Sequence, residues 1–166
     1  MRLIPVSIRV ILALLLAVSP LMCKGAEPGR PFAGSVENEL KAIITGNRVP
    51  ADLTITYDDM HGLSGGTTII VYGDGRLERQ TKKSGVSAAK ITRKRIDRHK
   101  LIELIQLLVT LRAWDQLTPD RQPIPDESRA NLTISVNGSR SRMWEWFNEM
   151  PGNNRVIRIK ARMVKL

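Results

Sequence analysis

An apolar stripe between Asp97 and Leu111 sets the strongest limit on how this chain can fold. Leu101, Leu104, Ile105, Leu108 and Leu111 recur at spacings of three and four, and Ile102 and Leu107 widen the band. A helix turns once in about 3.6 residues, so this spacing predicts an amphipathic helix that must bury one side against another layer. Asp97 is placed to cap it, and Ile96 with Leu101 has the spacing of a hydrophobic staple. At about 1.5–3 kcal/mol per buried Leu or Ile, the stripe is expected to supply the largest share of folding energy.

The layer that receives this helix is expected to be a sheet. Leu53, Ile55 and Tyr57 alternate with Thr54 and Thr56, the pattern of a half-buried strand, and Thr67 to Tyr72 is β-branched and apolar. Gly73-Asp74-Gly75 turns the chain, Asp-Gly being a hairpin signal because both residues tolerate positive φ, and Arg76 to Lys82 returns. Lys90 to Arg95 fits an edge strand whose cations discourage pairing. Leu132, Ile134 and Val136 alternate with polar residues, and Asn137-Gly138 suits a type I′ turn. On the following strand Met143, Glu145 and Phe147 point one way, and Trp144 and Trp146 the other. Residues 155–166 fit a helix on Val156, Ile159, Met163 and Leu166, or a strand on Ile157, Ile159, Ala161 and Met163. Pro151-Gly152-Asn153-Asn154 favours the helix. The expected class is α+β: an antiparallel sheet of about four to six strands, packed by the 97–111 helix and a C-terminal helix.

Residues 1–25 read as a secretory leader. Arg2 and Arg9 precede the apolar run Val10–Met22, and Gly25 is a small residue at which the leader can be cut. The alternatives are an uncleaved signal anchor, or a lipid on Cys23, the only cysteine, although Met22 stands where a small residue is expected before an acylated cysteine. The protein is therefore expected to be exported, to the periplasm or the extracellular space. Membrane contact would come only through the leader or the lipid. Residues 26–50 read as a Pro/Gly-rich linker with a short helix, Ser35 to Thr45, capped by Ser35 and stopped by Gly46. The domain proper is expected from Ala51 to Leu166. Removal of the leader leaves no thiol, so the core must hold without a disulfide.

The net charge of +10 is concentrated. Residues 76–100 carry ten basic and two acidic side chains. Arg76, Arg79, Lys82, Lys83, Arg93, Lys94 and Arg95 form the expected basic surface, with Lys90, Arg98 and Lys100 beside them. Such a block attracts polyanions, or is simply a solvated side of the molecule. The leader and the absence of interleaved aromatics argue against nucleic acid as the partner.

Catalytic patterns are missing. No serine lies in a Gly-x-Ser-x-Gly elbow, and no nucleophile stands beside a base in an activating pattern. Asp58, Asp59 and His61 are the one conceivable metal set, but ligands so close in sequence seldom converge on an ion. No cofactor is expected. His61, Gly62, Leu63, Ser64, Gly65 and Gly66 form a loop suited to interaction; its Ser-Gly-Gly resembles an anion cradle, but a strand follows it where a cradle has a helix. Trp144 and Trp146 are candidate aromatic anchors, or else pack beneath the terminal helix. Asn131 and Asn137 begin glycosylation triplets, relevant only in a glycosylating host.

Gly65-Gly66, Tyr72-Gly73-Asp74-Gly75, the Leu/Ile helix, Trp114-Asp115-Gln116-Leu117 and Leu132–Val136 follow one another in an order that resembles small exported bacterial domains of unknown function. The same layout is similar to emfourin, an inhibitor of thermolysin-type metalloproteases, with Thr67 where an aromatic follows Gly-Gly. The resemblance spans about residues 52–147, and with no convergent catalytic set in the chain the expected function is that of a non-enzymatic exported binding module. The emfourin likeness implies protease inhibition by the loop around Gly62–Gly66.

Overall fold

A computed structural model describes residues 33–61, 64–122, 125, 127–152 and 154–166. The expected leader and the first seven residues of the linker, 26–32, lie outside these residues. The order of elements is α1 (Ala33–Gly46), β1 (Thr54–Asp58), β2 (Gly65–Tyr72), β3 (Arg76–Lys83), β4 (Lys90–Arg95), α2 (Arg98–Thr110), β5 (Arg129–Val136), β6 (Ser139–Trp146), a 3-10 turn (Phe147–Gly152) and α3 (Asn154–Lys165). The fold is α+β, as the patterns predict.

All six strands join one antiparallel sheet in the order β4-β3-β2-β1-β5-β6. The first four strands meander outward to β4. The chain then returns through α2 to place β5 on the other side of β1. Alternation decides which face is buried. Ile55 lies opposite Val71 and Ile134, Tyr57 opposite Ile69 and Leu132, and Leu132 opposite Met143. These residues are fully buried, in one cluster with Leu101, Leu104, Ile105 and Leu108 of α2 and Val156, Ile159 and Met163 of α3. The three helices thus cover one face, and a threonine-rich face is left half-buried on the other side.

Asp97 caps α2 by accepting the Lys100 N–H at 2.9 Å. The helix ends in a Schellman motif: Ala113 N donates to Leu108 O at 2.9 Å and Arg112 N to Val109 O at 3.1 Å. Arg112 takes the left-handed position (φ +47°) that glycine usually fills. Among the described residues no helix is long and apolar enough to cross a membrane.

Three local expectations change. Helix α1 starts two residues before Ser35, and Val36, Leu40 and Ile43 enter the core. The packed unit therefore takes in α1 as well as residues after Ala51. The β2–β3 turn falls on Gly73-Asp74-Gly75 as expected, with Gly75 N donating to Tyr72 O, but of the Asp-Gly pair only Gly75 takes a positive φ (+84°). Phe147 leaves the strand alternation and opens the 3-10 turn, 47% exposed.

Candidate functional site

The loop after β1 leads into a cleft of about 400 Å³ walled by Asp59, His61, Gly66, Glu127, Asn148 and Lys160 among others. Asp59 follows β1 on the helix-covered face, so its side chain is buried, 4% exposed. A carboxylate taken out of water must be matched by donors. Asp59 has three: the Tyr57 hydroxyl at 2.8 Å, the Thr67 N–H at 2.6 Å and the Lys160 ammonium from α3 at 2.5 Å. Burial, then the neighbouring Asp59 charge, pushes the Tyr57 pKa well above its ordinary value. Tyr57 is thus a committed donor.

The Gly-Gly pair has a steric cause. A Cβ on Gly66 would lie 2.4 Å from Asp59 O, and one on Gly65 2.2 Å from Lys82 O. Both residues also have positive φ. They begin β2, pressed between the end of β1 and β3, where the sequence places them in a loop. His61 pairs its backbone with Gly65 in both directions, and its Nδ1 accepts the Ser64 N–H at 3.1 Å. Gly62 and Leu63 lie outside the described residues.

Asp58, Asp59 and His61 do not converge. Asp58 points to the open face, where Oδ1 accepts from Met60 N and the Thr68 hydroxyl. Among the described residues no group of three His, Cys, Asp or Glu side chains is placed to hold a metal ion.

Trp144 and Trp146 lie on the face away from the helices, in edge-to-face contact with centroids 5.3 Å apart. The Arg129 guanidinium sits 4.0 Å from both rings, and Arg121 lies 4.3 Å from Trp146. Trp146 is 1% exposed. It is covered by arginines, neither an exposed anchor nor packed beneath α3. Arg121 also grips Glu127 through two bonds of 2.8 Å and reaches Glu149, which ties the Pro-rich segment to the sheet. No periodicity or motif singles out these arginines; the cluster Asp120, Arg121, Glu127, Arg129 is the signal the sequence holds for them.

The basic block divides. Arg79 turns to the helix face and donates to Val164 O at 2.6 Å, capping the last carbonyls of α3. Arg76 pairs with Asp74 and Arg93 with Glu78, both in solvent. Lys82 is half-buried, and Lys83 is exposed. Strand β4 stands apart: Lys90, Ile91, Thr92, Arg93, Lys94 and Arg95 are all exposed, at one edge of the sheet.

The chain matches no protein-family model, and no curated protein matches its sequence.

Proposed function

We propose that this protein is a non-enzymatic binding module of the cell envelope that docks on an anionic partner through the β3–β4 hairpin. The observation that carries this reading is β4 itself, six exposed side chains of which four are cationic, on one edge of the sheet. Cations grouped along one strand together raise the local concentration of polyanions. The cleft supports the same reading from the other side. Its buried carboxylate is already held by three donors, an arrangement suited to holding loops together and poorly suited to moving protons.

Heparin serves as a polyanionic probe. Wild-type protein is expected to bind it, and binding should fall steeply as salt rises from about 0.05 to 0.5 M, where screening shortens to a few ångströms. A Lys90→Ala, Lys94→Ala, Arg95→Ala variant should lose most of the binding. Heparin affinity unchanged in that variant, or indifferent to salt, would remove the hairpin as the docking surface.

A further inference from the structure

The two edges of the sheet are finished in different ways. At the β6 edge the Gln116 side chain stands in for a missing strand. Its Oε1 accepts the Trp144 N–H at 2.9 Å, and its Nε2 donates to Trp144 O at 3.0 Å. Thr118 adds a bond to the Glu145 carboxylate beside it. At the β4 edge no element among the described residues pairs with the outer side.

Which backbone groups face outward follows from one bond. Ile96 donates its N–H inward, to Gly75 O at 2.9 Å. Alternation in an antiparallel pair then turns the backbones of Lys90, Thr92 and Lys94 inward with it. Ile91, Arg93 and Arg95 direct their N–H and C=O groups outward. The edge therefore offers an alternating row of donors and acceptors, which is what an added strand requires. Side chains alternate as well, with Lys90 and Lys94 on one face and Arg93 and Arg95 on the other. A second copy of β4 would set cations against cations, which disfavours self-pairing. An incoming strand with carboxylates on either face would meet opposite charge.

We infer that β4 receives an extended acidic segment of a partner protein as a seventh, edge-added strand. This rests on the docking surface proposed above and specifies what occupies it. Backbone bonds would give the segment its direction and register, and the cations would select its charge.

The test uses an alternating Glu/Thr octapeptide with blocked ends, titrated into the full-length mature protein by calorimetry. A second peptide of the same sequence is N-methylated at two adjacent central residues, so that neither of its edges keeps an unbroken row of N–H donors. The unmodified peptide is expected to bind at least about tenfold more tightly than the methylated one. It should also slow hydrogen exchange at the Ile91, Arg93 and Arg95 amides. Equal affinity for the two peptides, absence of peptide binding, or exchange unchanged at those amides would overturn strand addition. Heparin binding separates the two failures. If heparin still requires Lys90, Lys94 and Arg95 while the peptides bind equally, the hairpin docks anions without a strand. If heparin also ignores those residues, the docking surface itself is misplaced.

Discussion

Around Asp59 the polar groups face one another, whereas along β4 they face solvent. Tyr57, Asp59, Thr67 and Lys160 come from a strand, the loop that leaves it, a neighbouring strand and a helix, and their bonds close on themselves. Lys90 to Arg95 belong to a single strand whose side chains all remain exposed. The first arrangement spends its electrostatics on the fold; the second leaves them for a partner. A cleft with charged walls thus looks more like a site than a flat edge does, yet its charges are already matched. Substitutions should separate the two regions sharply.

The largest effect is expected at Asp59. Asp59→Ala leaves the Lys160 ammonium, the Tyr57 hydroxyl and the Thr67 N–H without their acceptor. Losing one side of a buried charged cluster costs about 3 kcal/mol or more, to be read from urea unfolding. Heparin binding by the folded fraction should be unchanged. A near-neutral Asp59→Ala would mean that the cluster is not structural, and the contrast with β4 would collapse.

Tyr57→Phe sharpens the same point through pH. Because the folded pKa lies above the ordinary value of 10.0, the unfolded chain gives up the Tyr57 proton first as pH rises. The contribution of Tyr57 to stability is whole below pH 10 and declines above it. Tyr57→Phe should cost about 1 kcal/mol at neutral pH and flatten the alkaline loss between pH 10 and 11. An alkaline slope as steep in the variant as in the wild type would assign that loss to other groups.

Gln116→Ala tests the covered edge. It removes two bonds to Trp144 and should cost about 1 kcal/mol. It also exposes β6 backbone groups, so sedimentation should show weak self-association that the wild type lacks. The smallest change in stability is expected for Lys90→Ala with Lys94→Ala and Arg95→Ala: a melting temperature within about 2 °C of wild type.

What could be read from the sequence was what local periodicity encodes. The Leu/Ile stripe marked α2 and its Asp97 cap, alternation marked β1 and β5, and Asn137-Gly138 marked a turn in which both residues take positive φ. Strand β4 was legible as a charged edge. What stayed hidden depends on partners far along the chain. Lys160 is 101 residues from Asp59, and Arg79 is 85 from the Val164 carbonyl it caps. No local pattern announces such pairs, so Arg79 reads as surface charge and Asp59 as a loop acid. Gly65 and Gly66 read as a flexible loop because sequence cannot show how closely β1 and β3 press on them. Helix α1 was readable in outline, and the spacing of Val36, Leu40 and Ile43 held the evidence that it belongs to the core.

A backbone-amide NMR titration of the protein with a heparin oligosaccharide at low salt tests the central contrast most directly. The account expects shift changes concentrated on residues 82–100, with the amides of Asp59, His61, Gly66 and Asn148 nearly still. Shifts centred on those cleft amides, with β4 unmoved, would contradict it.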